Sequence, residues 1–554
     1  MRISSVLPSV PCLLLQAMFA TLGAQSPPPD VGDVLRNFGT KGPVPPPAAE
    51  VGQLPAPKDA RPDMEGGVRV LVRDIEVSGN TVFSAEQLKA VVADQLGQKH
   101  DLAGMKALAR RISDHYRRNG YQFARAVVRV QEFRDDILQI TVLEGRYGAI
   151  RLVGEPSLVA GAAPYFADLR QGDLLQSAKL ERTMLIFDDN PGLSVMPSVS
   201  PGAELGTSDL EIAIRMDALY GGDVGIDNAG SRFTGYYRSH VSWYRNSLAG
   251  FGDRLAALIM ATDEGMILGT ADYEMPVGGS GLRWRVGFSR TNYSLAEEYA
   301  ALEATGFANV WSTGLSYPLV RSQFTNVSLS VGVQYKDLRD EFAAVAVHES
   351  KATLSLPISL RFDHRDGLLG GAVSYGTLGY TPGNLSLDDA MSAVDAVTAR
   401  KEGSYGKLNF DLARIQAFTP DLSAYARFSA QWASVNLDSS ERLGVGGFEG
   451  VRAYPVGEAA ADAGWFAQVE LRYAIGDFSP YLLYDVSRVS INENPWDAAS
   501  DQTRNLSGAG FGVRYAHDQW SGNLSIAWRI DGGVPTQDRG DVNYRVAFAL
   551  SRNF

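Results

Sequence analysis

The sequence predicts a mainly β chain: an antiparallel transmembrane β-barrel of about 16 strands over residues 218–554, preceded by two small α+β units of β-α-α-β-β order. Three observations carry this reading. After the first 25 residues no apolar run reaches the roughly 18 residues a membrane helix needs, so only a closed barrel could span a bilayer. From about residue 218 onward, helical periodicity gives way to alternation with period two, punctuated by Gly, Asn and Asp turns. Finally, residues 68–144 and 145–217 repeat one order of elements, an internal repeat of about 75 residues.

Taken in chain order, residues 1–24 read as a secretory signal peptide, with Arg2, an apolar middle through Leu13, Leu14 and Leu15, and small residues at Gly23 and Ala24. Pro8 and Pro11 interrupt the apolar stretch, and Leu22 is a poor residue before a cleavage site. The only cysteine, Cys12, lies in this segment with no lipobox before it, so the mature chain is expected to carry no disulfide and no thiol chemistry. Residues 25–67 form a proline-rich linker, with Pro27, Pro28 and Pro29, then Pro45, Pro46 and Pro47, then Pro55, Pro57 and Pro62. Inside it, Val31, Val34, Leu35 and Phe38 fall at i, i+3, i+4 and i+7, which predicts a short amphipathic helix over 30–38. So short a helix is unstable alone and needs a docking surface.

The first α+β unit, 68–144, opens with a strand over 70–77 and a Gly79-Asn80 turn. Ser84 caps a helix with Gln87 in capping-box position and Leu88, Val91 and Val92 on its inner face. A second helix carries Met105, Leu108, Ala109, Ile112 and Tyr116 and stops at Asn119-Gly120; strands over 126–130 and 137–143 follow, joined at Asp135-Asp136. The second unit, 145–217, repeats the plan with a strand over 150–153, helical stretches near 160–166 and 177–187, and strands over 193–199 and 209–216.

In the barrel region, Trp465, Ala467, Val469, Leu471 and Tyr473 alternate with Phe466, Gln468, Glu470 and Arg472. Leu282, Trp284, Val286 and Phe288 likewise alternate with Arg283, Arg285 and Gly287. Arginines opposite an apolar and aromatic face describe a wet lumen and a lipid wall rather than a soluble sandwich. The chain ends with Tyr544, Val546, Phe548 and Leu550 on one face and Phe554 last, so Phe548 and Phe554 are expected to close the barrel and to present its assembly signal.

Several local motifs resemble a known family. Gly79-Asn80-Thr81-Val82-Phe83-Ser84, then Tyr116, Gly120-Tyr121, Gln131 and Glu144-Gly145, are similar to a polypeptide-transport-associated (POTRA) domain. Asp227-Asn228-Ala229-Gly230-Ser231 with Thr234-Gly235 looks like the family's first barrel strand and turn. Val451-Arg452-Ala453-Tyr454-Pro455 lies in a long loop between two barrel strands. Together these resemble the two-partner secretion transporters of the haemolysin/filamentous-haemagglutinin type, within the superfamily of barrel-assembly and polypeptide-transport porins. The resemblance implies a plug helix (Val31, Val34, Leu35, Phe38), a linker, two POTRA domains and a 16-stranded barrel. It also implies that Arg452 at the loop tip folds into the pore and meets an aspartate on the wall, at the position of Asp485. Strand parity agrees, since Leu482, Tyr484 and Val486 on the outer face leave Asp485 inward. Where the family usually has glycine, this chain has Ala453. The blander alternative, in which Arg452 and Asp485 merely brace the interior as many porin charges do, gives way to the pore-loop reading because of the surrounding motif.

The implied function is export of a cognate partner polypeptide from periplasm to cell surface. The POTRA domains would hold the partner unfolded by β-augmentation, outer-membrane lipid would surround the barrel, and the barrel-assembly machinery would insert it. No cofactor, metal or nucleotide site is read, and a net charge of −12 gives no sign of nucleic-acid binding. An insertase of the same superfamily is the alternative, though those usually carry more POTRA domains and lack the linker and plug. A passive porin leaves both repeats unexplained. An enzyme is disfavoured because the six histidines are scattered without metal-ligand spacing and no Gly-x-Ser-x-Gly elbow occurs. His364, beside Asp363, Arg365 and Asp366, reads as part of a loop charge cluster.

Overall fold

The computed structural model describes residues 28–39, 44–46, 66–496, 502–539 and 542–554. The signal peptide and most of the linker fall outside the described residues.

In the first α+β unit the Ser84 side chain accepts from the Gln87 amide while the Gln87 side chain accepts from the Ser84 amide, starting the helix Ala85–Val92. The longer helix Leu102–Arg118 buries Met105, Leu108, Ala109, Ile112 and Tyr116 against a sheet ordered Asp74–Ser78, Ile137–Leu143, Arg125–Val128. The strand expected over 70–77 is two strands. Val70–Val72 pairs with Gln98–His100, whereas Asp74–Ser78 runs parallel to Ile137–Leu143. The reason lies in the pattern: burial falls on Val72 and then on Ile75, a step of odd length that one flat strand cannot make without turning a core residue outward. The motif residues converge on Glu144, which accepts from Val82 N at 2.8 Å and from the Tyr116 hydroxyl at 2.9 Å, tying the Gly79–Ser84 turn to the long helix. Burial pushes this carboxyl up, but hydrogen bonds from Thr81, Val82 and Tyr116 outweigh it and hold the pKa below the usual range.

The second unit repeats the plan, with a sheet ordered Arg146–Val153, Thr207–Met216, Leu193–Pro201 and helices Pro156–Phe166 and Ser177–Asp188. It is fastened to the barrel. Phe251, from a barrel turn, packs against its core; Arg321 grips Asp189 at 2.7 Å; Arg182 donates to the Pro318 carbonyl at 2.7 Å.

The barrel is a closed antiparallel sheet of 16 strands. One strand is broken in the middle: Val347–Ser355 and Ile358–Asp366 both pair with Thr325–Phe342 and with Ala372–Leu387. Pro357 lies at the break, where it has no N–H for the ladder, yet its carbonyl still accepts from Gly332 N at 3.0 Å. His364, expected in a loop, sits inside this strand with Nδ1 2.8 Å from Thr325 Oγ1. On the outer face the rings of Phe288, Trp311 and Tyr335 lie side by side, tilted against each other, across three strands.

First and last strands, Tyr220–Asp227 and Tyr544–Asn553, close the barrel through the pairs from Asn553↔Asp223 to Ala549↔Asp227. The seam is extended at both ends. Phe554 N donates to the Gly222 carbonyl at 3.0 Å and Gly222 N to the Phe554 carbonyl at 3.1 Å. At the other end Phe548 N donates to Asn228 Oδ1 at 2.8 Å. Phe554→Ala is therefore expected to lower the amount of inserted barrel several-fold, because its ring ends the last strand at the closing pair. Heat-modifiable gel mobility of outer-membrane fractions checks this, and normal barrel levels with lost export would contradict it.

Candidate functional site

The candidate site is built from the loop between strands Leu422–Ala433 and Ala463–Tyr473, which folds back into the lumen. Its base is pinned by Asp462, fully buried, which accepts from Leu437 N at 3.1 Å, Glu493 N at 3.0 Å and Arg442 Nε at 3.0 Å. Bridges between Leu443 and Ala461 and between Gly446 and Val451 shape the rest, so the tip is a short compact turn.

At the tip, Arg452 is 6% exposed and Asp485 is 0% exposed. Arg452 gives Asp485 three hydrogen bonds: from its backbone N at 3.0 Å, from Nε at 2.9 Å and from Nη2 at 2.6 Å. This fork fixes both the loop's register and the guanidinium plane. The remaining edge of Arg452 pairs with Glu470, a residue that parity alone placed on the inner face and that sequence reasoning left out of the site. Glu470 is shared by three arginines, the others being Arg472 and Arg514, each at 2.8 Å.

The flanking motif residues hold this tip. Val451 N donates to the Val445 carbonyl at 2.6 Å, and the Tyr454 hydroxyl donates to the carbonyls of Asp531 at 2.8 Å and Gly533 at 3.1 Å. Pro455 is buried beside them. Ala453 does not adopt the left-handed backbone that would favour glycine. Its methyl group fits because the wall opposite is Gly508, where an added Cβ would come within 2.5 Å of Ala453 Cβ.

The helix Val31–Gly39 lies in the same lumen. Val31 and Val34 are buried, and Leu35 and Phe38 pack beside them, against Phe233, Tyr293, Tyr299, Leu302 and Phe342. Its N-terminus is held by charge. Val31 N donates to Asp340 at 3.0 Å, and Lys351 Nζ lies 2.7 Å from Asp30 and 2.6 Å from Asp438 of the loop. Arg36 Nη1 donates to the Ser439 carbonyl at 3.0 Å. Gly32 allows this approach, since a Cβ there would meet Ser439 Oγ at 2.2 Å. Helix and loop are therefore packed against each other. Further on, the Pro46 carbonyl accepts from Arg365 Nη2 at 2.8 Å, at the end of the wall nearest the second α+β unit.

Residues 206–515, more than half of the chain, match the model for the haemolysin secretion/activation proteins ShlB/FhaC/HecB, and residues 70–145 match the ShlB-type POTRA domain. The chain belongs to the haemolysin secretion/activation family. It is 24% identical over 472 residues to the heme/hemopexin transporter protein HuxB of Haemophilus influenzae, covering 83% of each chain. To the outer membrane transporter CdiB of Escherichia coli it is 24% identical over 503 residues, 86% of this chain and 82% of that one. A solved structure of CdiB from Escherichia coli shares the fold over both full lengths, with a TM-score of 0.69 at 19% identity. The protein is thus an outer-membrane transporter of two-partner secretion, with its POTRA domains in the periplasm and a secreted exoprotein as partner.

Two cavities among the described residues open into the transporter's lumen. One of about 760 Å³ lies between helix, loop and wall, lined by Arg36, Lys336, Lys407, Asp411, Arg427 and Gly444. The other, about 770 Å³, opens beside the second α+β unit and is lined by Tyr165, Asn190, Arg283, Ser316, Ser330 and Arg361. At the opposite mouth Glu458, fully buried, ties its own loop to a barrel strand and to a second loop: it pairs with Arg504 of the strand Thr503–His517 at 2.8 Å and accepts from Thr536 N at 2.8 Å and Gln537 N at 3.1 Å.

Proposed function

We propose that the exported partner crosses this barrel as an extended chain, along a path that the loop 434–462 and the helix Val31–Gly39 obstruct at rest. The observation that carries the reading is the Arg452 fork on Asp485 and Glu470, which holds the loop inside a closed barrel and against the helix. Both obstructing pieces are held by side-chain contacts, whereas the wall is held by its hydrogen-bonded ladder, so the path can open without the barrel unfolding.

The POTRA domains receive the partner unfolded, by β-augmentation at a free sheet edge. Not every edge suits. Leu193–Pro201 carries Pro197 and Pro201, which lack donors, and on Arg125–Val128 the Ala126 amide is already taken by Ser113 Oγ at 2.9 Å. On the fourth edge, Arg146–Val153, the Tyr147 amide is taken by the Asp173 carbonyl at 2.9 Å and the Ala149 amide by Asp209 Oδ1 at 2.7 Å, so these features together favour the edge Asp74–Ser78. A photo-crosslinking residue at exposed Glu76 should capture the partner in the periplasm, and one at exposed Met196 should not. Capture at Met196 alone would overturn this assignment. The partner's backbone supplies the binding, and the barrel-assembly machinery supplies insertion.

No catalytic step is part of the reading. His240, Asp223 and Ser242 meet in the lumen, but both the Ser242 hydroxyl and the His240 ring nitrogen bond to Asp223, so the hydroxyl is directed at the carboxylate and not at the imidazole.

A further inference from the structure

The outer wall carries a pair of cations on its lipid-facing side, away from the lumen. The second POTRA domain grips the Arg321 end of the strands Ala304–Arg321 and Thr325–Phe342, so their Ala304 and Phe342 ends are extracellular. On the first of these strands the lipid-facing residues Leu319, Tyr317, Leu315 and Trp311 are exposed. At about 3.3 Å per residue on a strand tilted by about 40° they cover roughly 20 Å of an apolar band that is about 25 Å tall. The row Phe288–Trp311–Tyr335 marks its outer edge.

One pleat further out, on the same lipid-facing parity, stand Arg290, Asn309, Asp337, then Asn292, Phe307 and Arg339. Both guanidiniums lie over one ring: Arg290 Cζ is 4.6 Å and Arg339 Cζ 5.5 Å from the Phe307 centroid. Two cations on one ring stand no further apart than roughly a Debye length of 8–10 Å, so they repel unless an anion lies between them. Asp337 offsets Arg339 from 3.3 Å. Among the described residues Arg290 is held by neutral oxygens, Asn292 Oδ1 and Asn309 Oδ1, each at 3.1 Å, which fix its plane without neutralising it. Beside it on the neighbouring strand is Gly269, where an added Cβ would meet nothing within 4 Å, so the surface there is open.

We propose that Arg290 and Arg339, braced on Phe307, bind the phosphate group of a phosphorylated lipid headgroup in the outer leaflet. A guanidinium fork matches a phosphate's oxygens, and the interface lowers the screening that water would impose. The ring edge and Trp311 below it take the first part of the acyl chains. The inference rests on the barrel's place in the outer membrane and not on the path of export.

The test uses the full chain refolded in detergent, with diphosphoryl lipid A as probe and native mass spectrometry as readout. Arg290→Ala/Arg339→Ala should weaken lipid A binding by about tenfold or more, the loss of a charge-assisted contact. Heat-modifiable mobility verifies folding. Asn309→Asp, which sets a carboxylate against Arg290, should weaken binding as well while keeping both arginines. Millimolar inorganic phosphate should fail to displace the lipid. Equal binding by wild type and both variants would overturn the site, and displacement by phosphate would overturn the headgroup in favour of a free anion.

Discussion

Arg452→Ala is expected to abolish or severely reduce export while leaving a folded, inserted barrel. In the wild type all the hydrogen bonds to Asp485 from described residues come from Arg452. Truncation leaves the carboxylate buried with only the loop amide, while Glu470 keeps Arg472 and Arg514. Breaking one side of a buried ion pair costs about 3–5 kcal/mol, enough to shift the loop's inward population by more than about 100-fold. The wall does not depend on that pair, since the strand Phe478–Ser490 is laddered on both sides. Asp485→Ala should give a related defect, and the double variant should be no worse than the worse single one, because both remove the same contact. The exchange Arg452→Asp with Asp485→Arg should recover only part, since the fork would be reversed and Glu470 would face a carboxylate. Secretion of a tagged partner, with heat-modifiable mobility as folding control, measures all four. Wild-type export from a well-expressed Arg452→Ala protein would remove the pore-loop role.

The second large effect is on conductance. Deleting residues 30–38 should raise single-channel conductance in planar bilayers while export continues, since the deletion removes an obstruction and not part of the wall. Two point variants should act in the same direction for separate reasons. Gly32→Leu puts a side chain where even a Cβ lies 2.2 Å from Ser439 Oγ. Lys351→Ala leaves Asp30 and Asp438 facing each other without the ammonium that lies within 2.7 Å of both. Unchanged conductance in the deletion would remove the plug role from this helix. A rise in the deletion alone, with neither point variant moving, would show that the helix is held by its apolar face on Tyr299 and Phe342 instead.

Local periodicity carries much of this protein. Alternation along each strand sorts lipid-facing Leu482 and Tyr484 from inward Asp485, and the spacing of Val31, Val34, Leu35 and Phe38 is enough to write a helix with one apolar face. The Ser84–Gln87 capping box is local too, as both partners lie within one turn. Even the strand switch near Arg73 was present in the pattern, as a slip from even to odd apolar positions that a single strand could not accommodate. The Pro357 break did not stop the strand, because both of its neighbours continue across it.

What the sequence could not supply is which inward residues meet. Parity says that Glu470 faces the lumen, but its three arginines reach it from a loop, from its own strand and from a third strand. Likewise nothing in a nine-residue helix names its dock, and the contact from Ser439 to Asp30 spans 409 residues of chain. Phe251 reads as a turn residue until the second α+β unit closes over it. Side-chain facing is a property of a few neighbouring residues, set by backbone sterics with a period of two or 3.6. Partnership across a lumen depends on strand tilt, shear and the folding-back of a long loop, and these exist only once the barrel has closed.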